Sequence, residues 1–281
     1  MKRFRYAYSV SGRSAEELSG TIDQMTKLGY DAVELGGELP LAEARKTRDL
    51  IDNAGMTVSS ICPSFTAERD LAHPDPEVRE STVRYVREIA DLANAVGAPM
   101  IIIAPTAFLR SQPVAAEKEE WGWAVESIRD GGEYADDLGV NLTLECWNRY
   151  GTYLLNRLEQ AVRLWRETCL PNGGVMADTY HMNIEERSLP EAIRETGELL
   201  NHVHLSDSNR AAPGQGHIDF GSILQALADI DYPGHLTFEL DVQAAVRSGV
   251  LPLEGREDPT SYLMEQGIQH LRHLESQLDG P

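Results

Sequence analysis

Along the whole chain, short apolar runs alternate with longer stretches in which apolar residues recur every three or four positions. The first pattern is that of a strand buried on both faces, and the second that of a helix with one apolar side. Eight such pairs can be read. The strands are expected at Phe4–Ser9, Ala32–Leu35, Thr57–Cys62, Met100–Ala104, Asn141–Cys146, Gly174–Asp178, His202–Ser206 and Leu236–Leu240, each bounded by turn residues. Helices are expected over 15–28, 41–53, 76–95, 118–138, 157–168, 189–200, 221–229 and 259–277, with Ile89, Leu92, Ala93 and Val96 marking one inner stripe. Four helix-to-strand turns share a device: Lys27-Leu28-Gly29-Tyr30-Asp31, Asn53-Ala54-Gly55-Met56, Ala95-Val96-Gly97-Ala98 and Asp137-Leu138-Gly139-Val140. In each, glycine is expected in the left-handed conformation that ends a helix before the next strand begins.

Eight strand–helix units in 281 residues predict an α/β fold of the (β/α)8 TIM-barrel type, one domain over residues 1–281. No glycine-rich phosphate fingerprint follows the first strand, which argues against an open dinucleotide-binding sheet. One long irregular segment, Asp241 to Pro259, follows the last strand and is expected to serve as a lid or as a contact to a partner subunit.

Composition narrows the function classes. Hydrophobic residues make up 42% of the chain, enough for a large core, yet no run approaches the roughly 20 apolar residues needed to span a bilayer. The opening MKRFRYAYSV lacks an apolar run with a cleavage site, so the expected location is the cytoplasm. A formal charge of −20 with no compensating Lys or Arg run excludes phosphate backbones and anionic membranes as partners. Cys62, Cys146 and Cys169 match neither a disulfide framework nor a zinc site and are expected to be reduced and mostly buried.

A parallel barrel carries its active site at the strand C-termini, so polar residues ending apolar strands are the candidates. Glu145 ends Asn141-Leu142-Thr143-Leu144-Glu145, Asp178 ends Val175-Met176-Ala177-Asp178, His204 lies in His202-Val203-His204-Leu205, and Glu239 ends Leu236-Thr237-Phe238-Glu239. Three carboxylates in one barrel mouth repel each other and resist desolvation unless a positive charge sits between them. A divalent cation answers this, with the oxygen-rich set suiting Mn²⁺ or Mg²⁺ and leaving Co²⁺ or Zn²⁺ open. Around this core, His181 and Arg210 stand on loops where they can reach substrate oxygens or act as ordinary loop residues. Side-chain alternation puts His202 deeper in the same lumen as His204. Trp147, Asn148 and Trp123 offer an apolar platform for a sugar ring, with core packing favoured for Trp123.

These residues arrive in long motifs: Leu144-Glu145-Cys146-Trp147-Asn148-Arg149-Tyr150, Asp178-Thr179-Tyr180-His181-Met182-Asn183-Ile184-Glu185-Glu186, His202-Val203-His204-Leu205-Ser206-Asp207-Ser208-Asn209-Arg210 and Pro213-Gly214-Gln215-Gly216-His217-Ile218-Asp219-Phe220. Together they resemble the xylose-isomerase-like sugar epimerases, most of all the ketose 3-epimerases acting on tagatose and psicose. The resemblance implies that Glu145, Asp178, His204 and Glu239 are metal ligands, with Mn²⁺ the expected ion. It further implies that Glu145 and Glu239 exchange a substrate proton between faces through an enediolate, and that His181 and Arg210 occupy substrate-binding positions. The chain departs from that family at Gly151, where the epimerases carry a glutamate that holds the substrate's terminal hydroxyls; glycine removes this contact and opens space. Gly151 and the segment after strand eight therefore also suit a lyase acting on a larger oxidised glycoside, as in the C-glycoside deglycosidases, with a small second subunit. A homo-oligomer is expected in either case. An abasic-site endonuclease shares the barrel but is disfavoured by the charge, and a non-catalytic sugar-binding protein has no use for paired acid/base carboxylates.

Overall fold

The computed structural model describes residues 4–251 and 258–278. Its strands are β1 (Arg5–Val10), β2 (Ala32–Gly36), β3 (Thr57–Cys62), β4 (Met100–Ile103), β5 (Asn141–Glu145), β6 (Gly173–Asp178), β7 (Leu200–Leu205) and β8 (His235–Phe238). All neighbours pair in parallel, and β8 closes the barrel on β1 from Arg5↔His235 to Tyr8↔Phe238. The outer ring and loops carry α1 (Ala15–Leu28), α2 (Ala44–Asn53), α3 (Pro76–Val96), α4 (Glu117–Asp137), α5 (Leu158–Thr168), α6 (Thr179–Glu185), α7 (Leu189–Thr196), α8 (Phe220–Asp229), α9 (Val242–Arg247) and α10 (Pro259–Leu278). The predicted (β/α)8 barrel is thus the observed fold.

Local chemistry explains the element ends. Asp75 caps α3 by accepting from the Glu77 amide, Pro76 stands at its first turn, and Gly97 closes it at φ 78°. Gly29, Gly55 and Gly139 repeat the left-handed stop at φ 76°, 73° and 72°, as expected from the four turns. The apolar faces of the helices and the strands' outer side chains form one continuous core, in which Tyr30 and Tyr6 meet Phe238 at centroid distances of 5.5 and 6.2 Å.

Several expectations shift. The first strand runs one residue later than expected, from Arg5 to Val10. Residues 179–185 form the unforeseen helix α6, started by the Asp178 side chain accepting from the Tyr180 and His181 amides. The segment expected to be irregular after β8 contains α9, capped by Asp241, while 252–257 lie outside the described residues. Ala211, Ala212, Ala245, Leu251 and Leu263 form a second small core that fastens α9 and the loop after β7 to α10. Cys146 is buried and Cys62 half-buried, but Cys169 is exposed at the left-handed end of α5, so the expected burial fails there. Trp123 is half-buried on α4 with the Arg79 guanidinium 4.9 Å above its ring, so it belongs to the interface of α3 and α4 rather than to the central core or the mouth. No helix among the described residues is long and apolar enough to cross a membrane.

Candidate functional site

The ends of β5, β6, β7 and β8 bring Glu145, Asp178, His204 and Glu239 together, with one ligand atom from each lying within 4.8 Å of the others. The barrel's stagger produces this convergence. Asp178 pairs directly with His204, which pairs with Thr237, while Glu145 sits opposite Met176, two residues before Asp178. Asp178 and His204 are 2% and 0% exposed and lie beneath the opening, whereas Glu145 and Glu239 line a cavity of about 950 Å³ at the barrel mouth. The two outer carboxylates come from strands three apart in the ring, so they face one another across the cavity floor.

His204 is held from below. Its Nε2 lies 2.9 Å from Glu34 Oε2, the same oxygen that meets His202 Nε2 at 2.9 Å and accepts from Ser60 Oγ at 2.6 Å. Glu34, on β2, is fully buried, and its other oxygen has no hydrogen-bond partner among the described residues. With Nε2 engaged by Glu34, Nδ1 points upward into the carboxylate cluster. There it lies 3.2 Å from Glu239 Oε2, without a well-aligned hydrogen bond among the described residues. A buried imidazole nitrogen aimed at three carboxylates, with no well-aligned hydrogen bond among the described residues, fits a divalent cation with oxygen and imidazole ligands. Glu34, His202 and His204 also lie close enough together to hold an ion. Separations of 2.9 Å onto a single oxygen are hydrogen-bond contacts, however, and they leave the upper cluster as the set with a free donor atom.

The charges inside this site are unbalanced. Burial raises the Glu145 carboxyl and the neighbouring Glu239 adds to the effect, pushing it up to about 8 against the attraction of His204. For Asp178, burial acts upward, but Arg210, His181 and His204 together hold the carboxyl well below its usual range. Glu239 is likewise lowered by Arg210 and His204 in spite of burial. Burial alone would depress the His204 imidazole, yet Glu34 and Glu239 hold it well above its ordinary value. Positive charge at the centre is what these carboxylates require.

Arg210 supplies part of it. The residue takes a left-handed backbone conformation at φ 62°, and Nη1 donates to Asp178 Oδ2 at 2.7 Å while Nη2 donates to Glu239 Oε2 at 2.5 Å. The guanidinium also stacks 4.7 Å over the Tyr180 ring. Arg210 thus reaches the cluster from the loop after β7 and still lines the cavity. His181 is buried, not a surface-loop residue, and its Nδ1 accepts from the Asn148 amide at 3.1 Å. That bond leaves Nε2–H facing the cavity, 3.7 Å from Asp178 Oδ2. Burial, with help from Arg210, keeps the imidazole below its usual pKa, so His181 is a neutral donor. Trp147 lines the wall, its ring edge-on to Phe108 at 5.2 Å. The room left at Gly151 is already used, since a Cβ there would stand 3.2 Å from Phe108 Cε2 and 3.3 Å from Trp147 Cβ.

The sequence pattern of the xylose isomerase-like TIM barrel matches residues 22–274. The chain belongs to this family. Its relatives include the D-psicose 3-epimerase of Ruminiclostridium cellulolyticum, 32% identical over 227 residues that span 78% of this chain and 76% of that one. The 3-dehydro-D-guloside 4-epimerase of Escherichia coli is 28% identical over 225 residues, spanning 78% and 85% of the two chains. A crystal structure of D-psicose 3-epimerase with D-tagatose from Clostridium cellulolyticum superposes with a TM-score of 0.85 at 25% identity, covering 96% of this chain and 99% of that one.

Sequence reasoning found the four-residue cluster and the deeper position of His202, but it missed Glu34 and Ser60. The available signal was Glu34 itself, a lone charge inside the apolar strand Ala32-Val33-Glu34-Leu35-Gly36. A charge in a fully buried strand needs a partner in the lumen.

Proposed function

We propose that the protein is a divalent-metal-dependent sugar epimerase that inverts a carbon next to a carbonyl, with Glu145 and Glu239 as its two acid/base groups. Membership of the family makes it an enzyme of the sugar isomerase and epimerase class. The observation that carries the finer reading is the pair of carboxylates facing one cavity above the buried Asp178 and His204. Glu145, Asp178, His204 and Glu239 would hold the ion, for which Mn²⁺ is the best match to the ligand set, and the ion would polarise the substrate's carbonyl and adjacent hydroxyl. One glutamate takes the proton from the carbon beside the carbonyl, and the electron pair of that C–H bond moves toward the carbonyl oxygen to give an enediolate. The opposite glutamate returns a proton to the other face of that carbon, which inverts it. Neutral His181 donates through Nε2 to a substrate oxygen, Arg210 keeps Glu239 oriented while offering its remaining N–H groups, and Trp147 shields one side from water.

A second reading concerns the substrate. The Escherichia coli relative is named for a 3-dehydro glycoside, and Gly151 offers no carboxylate to free terminal hydroxyls. Both features favour an oxidised glycoside over a free ketose, and extend to a lyase in which the same bases release the aglycone with a second subunit in attendance.

The test is proton exchange in D₂O by metal-stripped and Mn²⁺-reconstituted protein on a panel of ketoses and 3-keto glycosides. Deuterium should enter one carbon beside the carbonyl, with inversion, and Glu239→Gln should lower the rate by about 10²–10⁴-fold. Absence of exchange from every substrate by the reconstituted protein would remove the proposal, whereas aglycone release would move it to the lyase.

A further inference from the structure

The cavity mouth is built in two unlike halves. Ser9, Ser11, Glu38, Asp241 and Arg247 form one side. The other is apolar and, unusually, left open to solvent: Phe108 is 51%, Leu109 69% and Tyr150 71% exposed, and all three line the cavity beside the half-buried Trp147. They make up three of the five large apolar side chains that are exposed among the described residues. Apolar surface gathered at one rim of a site marks a place where something binds.

This rim is fixed in place. Arg110 donates to Asp70 Oδ2 at 2.6 Å and to Glu120, and both carboxylates are buried. Glu120 Oε1 also accepts from the Val114 and Ala115 amides, so the loop carrying Phe108 and Leu109 is clamped at its far end. The Leu109 amide donates to the Gly151 carbonyl at 2.8 Å, and Leu109 is held at φ 70°, a conformation that a non-glycine residue adopts only against resistance. The absence of a side chain at Gly151 lets the Phe108 ring lie against the backbone and edge-on to Trp147. A cavity of about 950 Å³ is at the upper end of the size that encloses a drug-sized ligand, with room beyond the carboxylates toward the apolar rim.

We propose that Phe108, Leu109, Trp147 and Tyr150 form a subsite for the aromatic aglycone of a glycoside substrate. The proposal rests on the epimerase reading above and names the substrate class that this site takes: a carbonyl-bearing sugar ring at the carboxylates, joined to an aryl group that lies on the apolar rim. The aryl face stacks against or meets edge-on the rings of Phe108 and Tyr150, and the polar half of the mouth is left for the sugar hydroxyls.

Titration calorimetry on the Mn²⁺-loaded protein with the phenyl and methyl 3-keto-β-D-glucopyranosides tests this. The phenyl compound should bind about tenfold tighter, and Phe108→Ala or Tyr150→Ala should each bring that ratio to about threefold or less. Leu41→Ala, which removes an exposed apolar side chain outside the mouth, should leave the ratio unchanged. Equal affinities for the two glycosides, or no binding of either, would overturn the subsite. Proton exchange measured on the same samples separates the two readings. Exchange without a phenyl preference removes the subsite and keeps the epimerase, while a phenyl preference without exchange keeps the subsite and removes the acid/base assignment. Sedimentation provides the remaining outcome: an oligomer that falls apart on Phe108→Ala would make the rim a contact between copies of the chain and overturn the proposal.

Discussion

Glu34→Gln isolates the role of the barrel floor because it keeps the shape of the side chain and removes only its charge. In the native protein one carboxylate oxygen meets Nε2 of both His202 and His204 at 2.9 Å and the Ser60 hydroxyl at 2.6 Å. Bonds to a charged group contribute about 1.5–3 kcal/mol each and neutral ones about 0.5–1.5, so the two imidazole bonds together lose about 2 kcal/mol. The new amide NH₂ takes the position of Glu34 Oε1, which is buried without a partner among the described residues, and leaving a donor unmade there costs about 1–3 kcal/mol more. Stability should therefore fall by about 3–5 kcal/mol, read as a lowered denaturation midpoint of the metal-free protein. Freed from a fixed acceptor, His204 loses the preference that directs Nδ1 into the carboxylate cluster, and Mn²⁺ affinity measured by calorimetry should fall about 10–100-fold. Ser60→Ala is the control, since it removes one bond to Glu34 and a long contact of 3.4 Å to His202 Nε2 while leaving the Glu34–His204 bond in place, and it should leave the affinity within about threefold. A Glu34→Gln variant that binds Mn²⁺ as tightly as the native protein would refute the argument that Glu34 orients His204.

Four further outcomes can be checked. Asp178→Asn should weaken Mn²⁺ binding by about 100-fold or more and His202→Gln by about tenfold or less; the reverse order in calorimetry would put the ion at the floor with Glu34. Arg110→Met strands the buried Asp70 and Glu120 without their cation and should cost about 3–5 kcal/mol in urea unfolding, so a loss below about 1 kcal/mol would mean the clamp is ornamental. Gly97→Ala forces a side chain into φ 78° and should cost about 1–2 kcal/mol, visible as a lower Tm. Burial, with Arg5 and His202, pushes the His235 imidazole down to about 4, while the unfolded chain titrates near 6.5. The unfolded state then binds a proton that the folded state refuses between those values. Stability from this group is present above pH 6.5 and is lost as pH falls toward 4, a slope that should flatten in His235→Gln when unfolding is followed between pH 7.5 and 5.

What was legible in the sequence was local or periodic. The left-handed glycines at 29, 55, 97 and 139 follow from the turn beside each, and the strand-end positions of Glu145, Asp178, His204 and Glu239 follow from the barrel's polarity once eight units are counted. Features that depend on closure were not legible. Glu34 and His204 are 170 residues apart, and only the complete ring puts them in the same lumen. Asp178 illustrates both kinds of information. Its place at the end of an apolar strand is visible in sequence, but its cap on α6 and its pairing with Arg210 follow from the backbone turning at two points, residue 179 into a helix and residue 210 into φ 62°. The loop position of Arg210 points to a substrate contact, and the folded chain also places it between Asp178 and Glu239.

The same distinction separates the floor of the site from its rim. The carboxylate and imidazole cluster sits at strand ends, where the parallel register fixes it and loop variation cannot readily disturb it. The rim of Phe108, Leu109 and Tyr150 sits on loops, where sequence is free to vary, and the Arg110 clamp gives those loops a fixed form. On the proposed reading, chemistry and selectivity are carried by separate parts of the barrel. Substitutions at Phe108 or Tyr150 should change which substrate is accepted without moving the proton-transfer groups, and substitutions at Glu145 or Glu239 should stop the reaction while the rim still binds. A Phe108→Ala variant whose exchange rate on the methyl glycoside fell as far as that of Glu239→Gln would show that this separation is false.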